Sequence, residues 1–187
     1  MKAFMFLKKI KPVLALCALL ALQPVFAAEY GVDSAAVEVG TGAKVQMIRF
    51  SAQKYWERSW FESNGTHLSG YWDANLAQWR GNSYRNVPGV HENITVIGLT
   101  PVFRFERSDK RGFYGEAGIG VSLFSKLYNN DDNRLSTAFQ FADHIGAGYV
   151  FDNHWEVGAK IQHYSNGAIK HPNSGVNWLV VKVARHF

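Results

Sequence analysis

The chain has 187 residues, enough for one domain, with 20 Lys and Arg against 15 Asp and Glu and one cysteine. Four of those lysines, Lys2, Lys8, Lys9 and Lys11, precede an apolar run, so the rest of the chain holds 16 basic (20 − 4 = 16) against 15 acidic side chains. That near-neutral balance excludes nucleic acid as the expected partner, and with Cys17 inside the apolar run no disulfide framework is available downstream.

Residues 1–27 read as a secretory signal. The lysines form a positive start, "VLALCALLAL" is the apolar stretch, and Val25 and Ala27 suit the −3 and −1 positions of a cleavage site. The run is too short for a membrane anchor. Leu16 ahead of Cys17 is too large for a lipoprotein cleavage site. A single domain over 28–187 is expected after its removal.

No second long apolar run follows. Eight segments alternate with period two instead: 29–40, 43–56, 67–80, 92–107, 113–126, 136–151, 155–166 and 175–187. In 113–126 one face carries Ala117, Ile119, Val121 and Leu123, and the other Glu116, Gly118, Gly120 and Ser122. In 136–151 Phe139, Phe141, Ile145, Ala147, Tyr149 and Phe151 share a face that Asp143 interrupts. In 155–166 Trp155, Val157, Ala159 and Ile161 oppose Glu156, Lys160 and Gln162. The polar faces are small and sparsely charged, as in a narrow barrel filled by side chains. The fold expected is all-β, an eight-stranded antiparallel transmembrane β-barrel of the bacterial outer membrane, whose closure satisfies every backbone donor in lipid.

The connections agree. "SDKRG" (108–112) and "DNH" (152–154) are short, whereas 80–91 and 127–136 are longer. Short turns belong on the periplasmic side and long loops outside. The stretch 54–65, "KYWERSWFESNG", is long for a periplasmic turn and reads as a short interfacial helix or a piece of an aromatic belt. Trp56, Trp60, Trp72, Trp79, Trp155 and Trp178 read as interfacial belts or wall. The chain ends on an alternating strand closed by Phe187, which resembles the signal read by outer-membrane assembly machinery. The seven histidines show no metal-binding spacing, and no metal or cofactor is expected.

His163 and Ser165 continue the outward stripe of the 155–166 strand near its external end, because residues i and i+2 share a face. Polar groups facing hydrocarbon are costly and need a reason. One is nucleophilic catalysis: an imidazole takes the serine proton and returns it to the leaving alcohol. The loop 166–175, with Asn166, Gly167, Asn173, Ser174 and Gly175, offers donors for an oxyanion. The other reason is a polar strand end bonded to lipopolysaccharide sugars. Pairing Phe151 with Trp155 across the short turn would set Asp143 opposite His163, and Asp143 is then either a nearby acid or a wall carboxylate.

"HYSN" (163–166) followed by "K-x-PN-x-G" (170–175) resembles the C-terminal signature of the outer-membrane lipid A 3-O-deacylases, the PagL family. "LSGYWDA" (68–74), "PVFRFE" (101–106), "EAGIGVSLFS" (116–125) and "FADHIGAG" (141–148) extend the resemblance over most of the chain beyond the signal. It implies a serine esterase that removes the ester-linked 3-hydroxyacyl chain at position 3 of lipid A. It implies Ser165 as nucleophile, His163 as base, and Asn173 with the Ala168 backbone N–H as oxyanion hole. The family's acid position falls on Asn177, where a Glu is the pattern. Asn177 orients His163 through its amide, or Asp143 supplies the charge, or activity is weak or absent. A non-catalytic structural or adhesive barrel is the rival reading. A palmitoyl-transfer barrel would need its key residues inside, where His163 and Ser165 do not point. The expected partners are lipid A or lipopolysaccharide, the bilayer and the assembly machinery, with a homodimer left open.

Overall fold

The computed structural model describes residues 31–187, so the proposed signal lies outside the described residues. Eleven strands follow in chain order: β1 (Ser34–Gly42), β2 (Val45–Tyr55), β3 (Trp60–Ser63), β4 (Thr66–Gly81), β5 (Glu92–Arg107), β6 (Gly112–Phe124), β7 (Asn129–Asn130), β8 (Asn133–Arg134), β9 (Phe139–Val150), β10 (Trp155–Ser165) and β11 (Val176–His186). Eight of them, β1, β2, β4, β5, β6, β9, β10 and β11, pair with their neighbours, and β2 pairs with β4 to close a barrel. Each pairing is antiparallel. Each barrel strand overlaps one of the eight alternating segments. β7 and β8 form a small hairpin in the long loop between β6 and β9.

Alternation decides the two faces. On β6 Ile119 is 69% exposed while Glu116 and Ser122 are buried, and on β10 Ile161 is 61% exposed while Glu156, Lys160 and Gln162 are buried. Lipid, not water, is the solvent that such an outer surface fits. The inner face is charged but balanced. Arg104 donates to Glu116 (2.6 Å) and Glu156 (2.9 Å), and Lys182 joins both carboxylates. Arg49 bonds Glu38 (3.0 Å) and Asp73, and Lys160 bonds Glu38 (2.9 Å). Each cluster sets two cations against two carboxylates, which offsets the desolvation of taking them from water.

Two readings of the aromatic residues are corrected. Residues 54–65 hold no helix: β2 runs to Tyr55, and β3 forms a short hairpin with the start of β4, with Trp60 opposite Leu68. Trp56 folds over Gly70, where any Cβ would lie 2.4 Å from its ring, and meets Phe103 edge-on at 4.9 Å. Trp60 and Trp72 complete an aromatic group on the outer wall at the end of the barrel shared with the short turns. Trp79 and Trp178, by contrast, are not belt or wall. They are buried in the lumen with their rings 4.5 Å apart, and Phe124 and Tyr164 each lie 4.8 Å from Trp79. Strand parity requires this: Trp178 lies between the outward-facing Asn177 and Leu179. The aromatic cluster closes the long-loop half of the lumen, and the ion clusters fill the rest.

Candidate active site

The external end of β10 is held from inside. Tyr164 points into the lumen against Trp79, so its neighbours His163 and Ser165 point out. The turn 151–154 sets the register of β9 on β10. Phe151 N donates to Trp155 O (2.8 Å), and the ladder carries on to place Asp143 opposite His163 and Phe141 opposite Ser165. On the other side β11 places Asn177 opposite His163. The imidazole is therefore flanked by an amide on one strand and a carboxylate on the next.

The ring's hydrogen bond goes to the amide: His163 Nδ1 lies 2.6 Å from Asn177 Oδ1. A carbonyl oxygen accepts only, so Nδ1 carries the proton and Nε2 keeps a free lone pair. Asp143 is half-buried, and its Oδ1 has no hydrogen-bond partner among the described residues. Ser165 Oγ makes no hydrogen bond to His163 among the described residues. Such bonds commonly tighten only when substrate is bound.

Gly175 fixes the ring from above. Its φ is +72°, and a Cβ there would lie 2.6 Å from His163 Cε1. Only glycine allows both the left-handed backbone and the contact. In the sequence Gly175 stands as a backbone donor and as the last residue of the "K-x-PN-x-G" stretch, but not as a contact to the His163 ring. Its signal is its position two residues past Asn173.

The loop 166–175 begins with a tight turn. Gly167 and Ala168 have φ of +62° and +64°, and Ile169 N donates to Asn166 O (3.2 Å), as a type I′ turn requires. The Ala168 N–H is left without an acceptor among the described residues. Asn173 Oδ1 accepts from Asn166 N (3.0 Å), which leaves the Asn173 amide nitrogen as its free donor. Asn166 is fully buried and its Nδ2 donates to Lys170 O (2.7 Å), so it braces the loop.

A groove of about 510 Å³ opens on the outer wall beside His163. Asp143, Ile145, Ile119 and Ile161 line it, and it reaches Pro101 and Phe103 on β5. Pro101 has no N–H, and the β5–β6 ladder breaks at Thr100 and Pro101 before resuming at Val102. The small Gly118 and Ala117 leave the wall hollow there. An extended hydrocarbon chain fits such a lining.

The fold is that of an outer-membrane β-barrel, and its outer wall carries His163, Asn177 and Ser165 side by side. The family model for lipid A 3-O-deacylase (PagL) matches residues 46–186. The chain belongs to this PagL family. A Pseudomonas aeruginosa protein named lipid A deacylase PagL is 34% identical over 171 residues, covering 91% of this chain and 94% of that one. One of the same name from Bordetella bronchiseptica is 29% identical, covering 92% and 93%. The crystal structure of the outer membrane enzyme PagL superposes with a TM-score of 0.71 at 29% identity, covering 82% of this chain and 99% of that one.

Proposed function

We propose that Ser165 and His163 hydrolyse the ester linking a 3-hydroxyacyl chain to position 3 of lipid A, at the outer leaflet. Ser165 Oγ attacks the acyl carbonyl carbon while His163 Nε2 takes the hydroxyl proton. The carbonyl oxygen becomes an oxyanion that accepts from the Asn173 amide and the Ala168 N–H. The C–O bond to the sugar then breaks, and His163 returns its proton to the departing sugar oxygen. A water, deprotonated by His163, attacks the acyl-enzyme. The fatty acid leaves and Ser165 regains its proton. Asn177 keeps His163 in the tautomer with Nε2 bare, and the acyl chain lies in the groove towards Pro101.

The observation that carries this reading is a histidine, bonded through Nδ1 to Asn177, beside a serine on the hydrocarbon-facing wall at the long-loop end. A structural or adhesive barrel has no use for that set. Asp143 gives a second reading of one role. Opposite His163 in register and with an orphaned Oδ1, it is placed to supply the charge that Asn177 lacks. In the chain's life history, residues 1–27 are the export signal, 28–187 form the barrel, and the last strand with Phe187 is the segment the assembly machinery reads.

Mass spectrometry of lipid A from expressing cells tests the function. The wild type removes one 3-hydroxyacyl chain, and Ser165→Ala removes none. An unchanged lipid A mass with well-folded wild-type protein in the membrane would overturn the proposal.

A further inference from the structure

We infer that the external loops form a binding site for a phosphate monoester on the sugar head group of the lipid. The inference rests on the deacylase reading above for the identity of that lipid. A cavity of about 390 Å³ lies where the loops 82–91, 125–138 and 166–175 converge. Arg85, Arg134, Lys170 and His171 line it, one or more from each loop, and no carboxylate does. Other cations nearby are committed elsewhere: Lys44 to Asp131 (2.6 Å) and Lys126 to Glu92 (2.7 Å). Arg85, Arg134 and Lys170 form no ion pair among the described residues. Asp132, in the same turn as Asp131, is held by Asn86, whose Oδ1 accepts from Asp132 N (2.7 Å).

The cations are mounted on fixed backbone. Arg85 N donates to Asn129 O (3.1 Å), and Ser174 N to Arg134 O (3.0 Å). Arg134 N in turn donates to Ser174 Oγ (3.2 Å), and Ser136 Oγ donates to Lys170 O (2.6 Å). Buried Tyr128 and Leu135 form the floor. Three cations brought together without anions repel one another, and a doubly charged oxyanion relieves that repulsion. The site also touches the chemistry. Lys170, His171 and Pro172 lie in the short stretch between Ala168 and Asn173, and Leu135 bridges to Asn173. A phosphate gripped here sets the sugar, and hence its ester, against the oxyanion donors.

The test uses the full-length Ser165→Ala protein in detergent micelles, titrated with phosphorylated lipid A and with the same lipid after phosphatase treatment. The phosphorylated lipid binds tighter by about tenfold, and adding Arg85→Ala, Arg134→Ala and Lys170→Ala removes that preference while leaving affinity for the dephosphorylated lipid unchanged. Unshifted gel mobility on heating shows that the substituted barrel is folded. In the active enzyme the same three changes raise KM about tenfold and leave kcat within about twofold. Equal binding of the two lipids, or a preference that survives the triple change, overturns the inference. So does displacement by equimolar inorganic phosphate, which would assign the cavity to the free ion. Because binding is read with the serine removed, a wild type that deacylates nothing sinks the esterase reading and leaves this result standing.

Discussion

The bond from His163 Nδ1 to Asn177 Oδ1 sets the tautomer but brings no negative charge to the imidazolium that the proposed reaction forms. Two substitutions separate these effects. Asn177→Ala removes the bond and lowers kcat roughly ten- to a hundredfold, the worth of about 1–3 kcal/mol. Asn177→Glu supplies an acid there and raises kcat by about fivefold, since hydrogen bonds to charged groups exceed neutral ones by about 1 kcal/mol. Release of 3-hydroxy fatty acid from micellar lipid A measures both. A silent Asn177→Ala with an inactive Asp143→Ala transfers the charge role to Asp143. Gly175→Ala drives a methyl into the His163 ring and lowers kcat by about two orders of magnitude, as a misplacement near 1 Å does, with no loss of folded barrel on heat-shift gels. The parity of His163 and Ser165 and the pairing of Asp143 with His163 were legible because strand period and a short turn leave little freedom. The brace from Asn166 and the contact at Gly175 were not. They depend on how a ten-residue loop folds back, and alternation says nothing about loops.

At the scale of elements, the lipid-facing groove depends on the break between β5 and β6. Gly118 and Ala117 keep the wall thin beside Pro101, and Ile119 stands at the margin. Ile119→Trp fills the groove. Its KM for substrates with long 3-acyl chains rises roughly ten- to a hundredfold, on the scale of about 1–3 kcal/mol for a mismatched apolar pocket, and short chains are affected less. A panel of lipid A species differing in that chain reads this out. Equal effects on all lengths would place the acyl chain elsewhere. The eight wall strands could be read from sequence because lipid and lumen impose opposite preferences on successive residues. β3 escaped that reading because Trp60 and Phe61 are both exposed, and Phe61 and Asn64 have positive φ. Their apolar character marks a place against the wall rather than a buried face. Trp79 and Trp178 misled for the opposite reason. Bulky aromatic residues suit a membrane interface by composition, but their parity turns them into a lumen narrow enough for a few rings to fill.

For the whole molecule, the lumen is a solid core made largely of ions. Arg104 serves two carboxylates, Glu116 and Glu156, with Tyr71 and Tyr114 rings beside its guanidinium. Arg104→Met leaves those carboxylates with Lys182, His186 and the Tyr71 and Tyr114 hydroxyls, and costs about 3–5 kcal/mol of stability, seen as a lower urea midpoint in lipid vesicles. A midpoint within error of wild type would show that the clusters are not what holds the barrel. The closed lumen has another consequence. With Trp79 and Trp178 filling one half and ions the other, no substrate passes through the protein, and both reactant and products move sideways within the leaflet. The enzyme thus meets its substrate by diffusion in two dimensions. Its rate follows the mole fraction of that lipid among its neighbours, not the amount per volume, so diluting the membrane with inert lipid slows turnover while diluting the suspension with buffer does not.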